Sequence, residues 1–398
     1  MRKNFPMAFA NKHPAKTAIW AFTPGGAWLA QKIASLLPGS VLFFSERLTE
    51  CKLQFASLLD ANVVRFARLK DAVADNFWEY PAHIFIMSTG ITVRMIAPLI
   101  EHKTHDPAVL AADEKGLHII SLLSGHLGGA NALTLKIAKL IRADPVITTA
   151  TDIQGVPAID LLAKEKNLII ENSDAIKYVS MALLTGKPVT IHDPYRILHH
   201  DLKAVVNIKH PTSNVQHRIS NVEYPIFNIE QPSGVFVDDI CQPLPKKILV
   251  LRPASLVAGI GCNRNTSVDE IRMQLEDVLA RFNLSQMSLK CLASIDLKAD
   301  EKGLLTLAEE LNLPLKFYNR EELNSVKTIE NPSAVVEKYV GVKGVCEAAA
   351  ILGANQGQLI APKQKTPNVT VAIARIPFIS WESAPAVANI SPNVPKKS

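Results

Sequence analysis

His118-Ile119-Ile120-Ser121-Leu122-Leu123-Ser124-Gly125-His126-Leu127-Gly128-Gly129-Ala130-Asn131 is the stretch from which the fold is read. An apolar run ends in a glycine-rich loop, and a helical pattern of apolar residues follows from Ala132 to Ile141. Strand, loop and helix in that order form the repeating unit of an α/β protein. Glycines let backbone approach a ligand closely, and the first N–H groups of a helix face negative charge. The loop is therefore expected to meet an anion. His126 adds a titratable group there, and Asn131 adds an amide at the helix start.

The alternation extends in both directions. Upstream, strands are expected at Thr17 to Phe22, Val41 to Phe44 and His83 to Met87. A helix from Ala27 to Leu37 follows the turn Pro24-Gly25-Gly26, and another, carrying Arg94, follows Ser88-Thr89-Gly90. Ala108 to Ala112 and Leu117 to Leu123 read as a pair joined by the turn Asp113-Glu114-Lys115-Gly116. A second region starts near Pro145, with strands at Val146 to Thr149 and Leu168 to Ile170 and helices at Ile159 to Lys166 and Asp174 to Leu184. Tyr195 to Pro245 breaks the rhythm and reads as an irregular segment leading into a linker.

The third region opens with strands at Ile248 to Leu251 and Leu256 to Cys262. A helix follows, capped by Thr266 or Ser267 with Asp269 and Glu270 in its first turn. Strands at Cys291 to Ile295 and Leu315 to Tyr318 flank a helix at Leu304 to Leu311. Helices at Ser333 to Tyr339 and Val345 to Leu352 precede a hairpin of Gln358 to Pro362 with Val369 to Ala374. The expectation is a multi-domain α/β protein, each main domain a small, mainly parallel sheet flanked by helices. Its parts are an extension at 1–16, domains at 17–144, 145–245 and 246–379, and a disordered tail at 380–398.

Composition narrows the function classes. The chain has 398 residues, 48% hydrophobic and 20% charged, an ordinary globular balance. Its 43 Lys and Arg against 37 Asp and Glu leave a net charge of +6, too mild for a nucleic-acid binder and suited to gathering a polycarboxylate. The five cysteines form no Cys-x-x-Cys pair, which argues against a zinc site or a disulfide framework. No apolar run approaches the roughly 20 residues of a membrane span. The amino-terminal residues do not read as a signal peptide, so a cytoplasmic protein is expected.

Several residues are candidates for chemistry. His126 is either a general base or acid, or a loop residue bonded to its own backbone. Asn131 contacts substrate or caps its helix. In a parallel sheet, the loop of Thr89 and Arg94 would emerge at the same carboxyl edge as the His126 loop. Arg94 would then clamp a carboxylate. Thr23-Pro24-Gly25-Gly26 would be a third loop at that edge.

Gly259-Ile260-Gly261-Cys262 begins a dinucleotide fingerprint but lacks the third glycine, since Arg264 occupies that position; no Gly-Lys-Ser/Thr loop is present. Cys262, near a helix start, is either a thiolate of lowered pKa or inert packing. Lys298 would meet a substrate carboxylate with Asp296 setting its orientation, or both belong to a solvated charge cluster.

In these motifs the chain resembles the cobalt-precorrin-5A hydrolase family. In the first half they are Phe85-Ile86-Met87-Ser88-Thr89-Gly90-Ile91, Ser121 to Asn131, and Val146-Ile147-Thr148-Thr149-Ala150-Thr151-Asp152. In the last region they are Gly259 to Cys262, Ala293 to Glu301, Gly344-Val345-Cys346-Glu347-Ala348-Ala349 and Pro362-Lys363-Gln364-Lys365. The carboxyl-terminal part is also similar to a small stand-alone protein of the oxygen-dependent cobalamin pathway. Asn265 departs from the pattern, standing where glycine is expected; Asn tolerates left-handed backbone.

The resemblance implies an anionic cobalt tetrapyrrole substrate carrying a δ-lactone. Water opens the lactone, acetaldehyde leaves, and cobalt-precorrin 5B results. Cobalt travels in the substrate, so no protein cofactor or metal site is expected. On this reading His126 activates water and the Gly128 and Gly129 amides hold the oxyanion. Thr89, Arg94, Asn131, Asp296 and Lys298 bind substrate. Expected partners are the substrate and, transiently, neighbouring cobalamin-pathway enzymes, with no nucleic acid and no membrane. Two other readings stay open: a methyltransferase of the same pathway, which would bind S-adenosylmethionine, and a carrier that binds the tetrapyrrole without releasing acetaldehyde.

Overall fold

The computed structural model describes residues 17–48, 63–102, 105–202, 233–332 and 334–377. The chain divides into two compact units, one of residues 1–164 with 180–187, the other of residues 165–179 and 188–398.

The first unit is built on a seven-stranded sheet. Its elements are β1 (Thr17–Ala21), α1 (Pro24–Leu36), β2 (Val41–Ser45), β3 (Val63–Phe66), α2 (Leu69–Asn76), β4 (Ala82–Ile86) and α3 (Thr89–Ile96). Next come β5 (Ala108–Ala112), β6 (His118–Leu123), α4 (Ala130–Ile141), β7 (Asp144–Val146), α5 (Ala150–Gln154) and α6 (Ile159–Glu165). Spatial order is β3-β2-β1-β4-β5-β6-β7. β1 is buried along its whole length, as a central strand with helices on both faces should be. α1 starts where Thr23 Oγ1 accepts the Gly26 N–H at 3.2 Å with proline in the first turn, the chemistry of a helix start.

His83, on β4, is fully buried against Trp20, Phe77 and Phe85. Its Nδ1 accepts the Trp20 indole N–H at 3.1 Å, and Nε2 donates to the Phe77 carbonyl at 3.0 Å. Burial lowers its pKa to about 4, so this histidine is neutral core.

One pairing sets the direction of everything after it. β4 and β5 are parallel, but β5 and β6 are antiparallel, with Ala112 opposite Ile119 and Val109 opposite Leu123. The loop after β6 therefore emerges at the amino edge of the parallel strands. The expectation that it shares an edge with Thr89 and Arg94 is corrected. A five-residue turn joins β5 to β6, and so short a connection permits only an antiparallel pair.

The second unit holds two sheets. β8 (Leu168–Ile170), β9 (Thr190–His192), β10 (Gly234–Val237) and β11 (Ile248–Pro253) order as β8-β11-β10-β9, with α7 (Ile176–Leu184) beginning in this unit and α8 (His199–Leu202) within it. β10 falls inside the stretch read as irregular, yet it is a fully buried interior strand. Residues 203–232 of that stretch, Cys51, the amino-terminal extension and the tail lie outside the described residues.

The five-stranded sheet comprises β12 (Leu256–Cys262), β13 (Leu289–Ile295), β14 (Leu315–Tyr318), β15 (Gln358–Lys365) and β16 (Val369–Arg375), ordered β14-β13-β12-β16-β15. Around it lie α9 (Val268–Arg281), α10 (Lys302–Glu310), α11 (Arg320–Ser325), α12 (Ala334–Val340) and α13 (Val345–Gly353). Ser267 caps α9 by accepting the Glu270 N–H at 3.3 Å. β12, β13 and β14 run parallel, and β15 and β16 form the expected hairpin. Arg375 of β16 grips Asp239, just past β10, through two bonds of 2.7 and 2.6 Å, which ties the two sheets of this unit together.

Candidate active site

The loop after β6 is tightly self-bonded. Ser124 takes a left-handed φ of 58°, which costs a non-glycine residue about 1–2 kcal/mol. Its hydroxyl is buried without a hydrogen-bond partner. A Cβ on Gly128 would stand 2.4 Å from the Ser124 Cβ and 2.9 Å from its carbonyl oxygen, so only glycine fits. The Gly129 N–H donates to His126 O at 3.0 Å, Ala130 to Ser124 O at 3.1 Å and Asn131 to Gly125 O at 3.0 Å. Helix-start donors expected to face an anion are thus used by the loop's own carbonyls. The Gly129 amide is not an open oxyanion donor.

The loop instead assembles side chains. His126 Nε2 lies 2.9 Å from Asp152 Oδ2, and Nδ1 lies 3.5 Å from Asp160 Oδ1. Thr151 Oγ1 is 3.2 Å from Nε2. Asn131 Nδ2 donates to Asp152 Oδ2 and to Thr149 Oγ1, both at 2.9 Å, and its Oδ1 accepts the Ser121 hydroxyl at 2.6 Å. Thr149 Oγ1 donates to the same Asp152 oxygen at 2.5 Å. Asn131 is buried, so it orients Asp152 rather than reaching outward or capping α4, whose cap is Gly129. Lys164 donates to Leu127 O at 2.7 Å.

The electrostatic result is a doubly flanked imidazole. Hydrogen bonding to Asp160, then to Asp152, outweighs the burial that would lower the His126 pKa and raises it to about 9. Asp152 is held below its ordinary value: burial pushes it up, but bonds from Thr149, His126 and Asn131 prevail. His126 is therefore an imidazolium at neutral pH, and the expectation of a resting base changes to that of a charged proton donor.

The remaining sequence candidates have surroundings of their own. Thr89 and Arg94 sit at the opposite edge of the first unit's sheet, and Arg94 is exposed, with Nη1 donating to Gly90 O at 2.8 Å. Thr23 Oγ1 donates to Glu114 Oε1 at 2.6 Å, so that loop already holds a carboxylate. In the second unit, Lys298 pairs with buried Glu301 at 3.3 Å, while Asp296 is exposed. Glu301, not Asp296, orients that lysine, and also accepts the Asn265 N–H at 2.7 Å where Asn265 takes φ 59°. Arg264 is paired with Asp300. Burial raises the Cys262 pKa and pushes Cys346 up to about 11, the opposite of thiolate activation. Among the described residues, no group of three or more His, Cys, Asp and Glu is arranged to hold a metal ion.

Residue-level reasoning gave Asp152 and Asp160 no role. Asp152 closes a quoted motif and was legible as an acid following a strand. Asp160, in a helix start of ordinary composition, carries no signal of its own.

Residues 71–152 match the family model described as Cobalamin synthesis G N-terminal, and residues 157–253 match Cobalamin biosynthesis central region. Residues 256–374 match Cobalamin synthesis G C-terminus. An α/β chain with these three segments in this order is a protein of cobalamin biosynthesis. Cobalt-precorrin-5A hydrolase of Priestia megaterium is 33% identical over 366 residues, covering 91% of this chain and 95% of its own. Its counterpart from Salmonella typhimurium (strain LT2) is 35% identical over 361 residues, covering 90% and 97%. Protein CobE of Sinorhizobium sp is 35% identical over 123 residues, covering 30% of this chain and 80% of its own. The chain therefore belongs to the cobalt-precorrin-5A hydrolase family, the hydrolases of cobalamin biosynthesis.

Proposed function

We propose that this enzyme opens the δ-lactone of cobalt-precorrin 5A with water and releases acetaldehyde, leaving cobalt-precorrin 5B, with the His126 cluster as its catalytic centre. The observation that carries this assignment is His126 held between Asp152 and Asp160 inside a motif of the family. Lactone hydrolysis needs a group to take a proton from water and a positive or N–H group for the developing oxyanion. Asp152 supplies the first. Its bonds from described residues converge on Oδ2, leaving Oδ1 for water. Imidazolium His126 and the Gly128 amide supply the second. Cobalt enters as part of the substrate.

A net charge of +6 favours the approach of a substrate rich in carboxylates. Thr89, Arg94, Asp296 and Lys298 are left as secondary contacts, all but Lys298 being exposed. Free thiols at Cys241 and Cys262 suit a cytoplasmic enzyme. Transient contact with neighbouring pathway enzymes would carry the labile substrate in and the product out.

Anaerobic incubation with cobalt-precorrin 5A, with acetaldehyde followed through an alcohol dehydrogenase couple, tests the assignment. Wild-type protein is expected to release acetaldehyde, and Asp152→Asn to do so roughly 100-fold more slowly. Tetrapyrrole binding without acetaldehyde would favour the carrier instead.

A further inference from the structure

The two ring nitrogens of His126 face carboxylates delivered by different helices, Asp152 from α5 and Asp160 from α6. The side chain of Asp160 is 13% exposed and that of Asp152 is 40%. Attraction between charges grows as water is excluded. The more distant carboxylate is thus the stronger electrostatic partner, consistent with its leading share in raising the histidine's pKa. Lys164, one turn further along α6, brings its ammonium to the carbonyl of Leu127 beside the ring, and Thr151 adds a neutral hydroxyl at Nε2. Asp160 has a further geometric distinction: it approaches Nδ1, away from the water-activating Asp152.

We propose that Asp160 is a positioning residue, holding His126 from its Nδ1 side as an imidazolium whose Nε2 proton is lent to the substrate and then returned. The proposal rests on the hydrolase reading above. In the first stage, water gives one proton to Asp152 as its oxygen bonds to the lactone carbonyl carbon. The acyl C–O bond then breaks, and the departing oxygen takes the Nε2 proton. In the second stage, the new alcohol returns that proton to His126 as its C–C bond breaks. The electron pair of that bond stays in the conjugated macrocycle, where a ring carbon takes the proton held by Asp152, and two carbons leave as acetaldehyde. An imidazolium with a pKa of about 9 is fully charged at neutral pH and, once emptied, is a stronger base than ordinary imidazole. Both stages gain from the same carboxylate, which touches no reacting atom.

The test reads the histidine and the reaction separately. His126 is titrated by NMR in the unliganded wild type, Asp160→Asn and Asp160→Glu, and acetaldehyde release is profiled against pH in each. Wild-type His126 is expected to stay protonated until about pH 9. Asp160→Asn is expected to lower that midpoint by about one unit or more. The alkaline limb of kcat should move down with it, with kcat falling roughly 10-fold and KM changing less than about 2-fold. Asp160→Glu is expected to restore most of both. A wild-type His126 titrating near 6.5 overturns the proposal, as does an Asp160→Asn loss of kcat without a shift in titration or alkaline limb. If Asp160→Asn does not fold, the wild-type titration and Asp160→Glu decide. Wild-type protein that releases no acetaldehyde refutes the hydrolase reading, and the NMR titration still reports on the clamp.

Discussion

The loop after β6 and the loop after β13 both carry family motifs, and both place charged side chains at the end of a strand. They use them differently. Around Lys298 the charges pair off, cation with carboxylate, as Lys298 with Glu301 three residues on and Arg264 with Asp300, the latter pair largely exposed. Around His126 the partners come from 26 residues away in Asp152 and from the separate helix of Asp160, and they enclose the ring. An exposed cation–carboxylate pair such as Arg264 with Asp300 contributes about 0–1 kcal/mol and leaves both charges in the state they already hold at neutral pH. Partners from separate elements in a half-dry site move a titratable group across the physiological range. Chemistry is therefore expected at the first loop, and recognition or local scaffolding at the second.

The largest effect should come from removing the histidine. His126→Ala is expected to lower kcat for acetaldehyde release roughly 1,000-fold, the upper part of the range for an acid–base group. Near-wild-type turnover would place the chemistry elsewhere and erase the distinction between the loops. A middle-sized effect is expected in stability. His126 has a folded pKa raised from 6.5 to about 9, so its contribution is complete below 6.5 and is lost as pH rises through 9. After discounting for solvent screening this is on the order of 1–2 kcal/mol, read as a falling midpoint in thermal unfolding. His126→Gln should remove that alkaline decline. His83, lowered to about 4, acts with the opposite sign: its contribution is present above 6.5 and fades as pH falls toward 4. The smallest effect belongs to Lys298→Ala, with KM rising less than about 3-fold and kcat held, as measured by the same coupled assay. A loss comparable to that of His126→Ala would show that the second loop also takes part in the reaction.

The reading of residues 118–141 as strand, loop and helix holds because a six-residue apolar run and a 3.6-residue period are local signals. The β5–β6 turn was equally visible, and it is the feature that reverses β6 and separates His126 from Arg94. β10 was missed because four apolar residues among polar ones do not announce an interior strand, and β3 with α2 fell in a gap for the same reason. Asn131 read as a cap or a ligand. Its partners Thr149 and Asp152 lie 18 and 21 residues on, a separation that no local pattern encodes.

The sequence by itself determined the α/β class, the family, the loop that bears the catalytic candidate and the glycines that shape it. Each of these depends on periodicity, on motif order or on backbone conformations that one residue type permits. Only the tertiary structure decided which edge of the sheet the loop occupies, that its helix-start amides are already bonded, and that His126 is charged. Strand direction follows from pairing, and a histidine's pKa follows from the carboxylates and the dryness around it. Both depend on residues that folding brings together from distant parts of the chain.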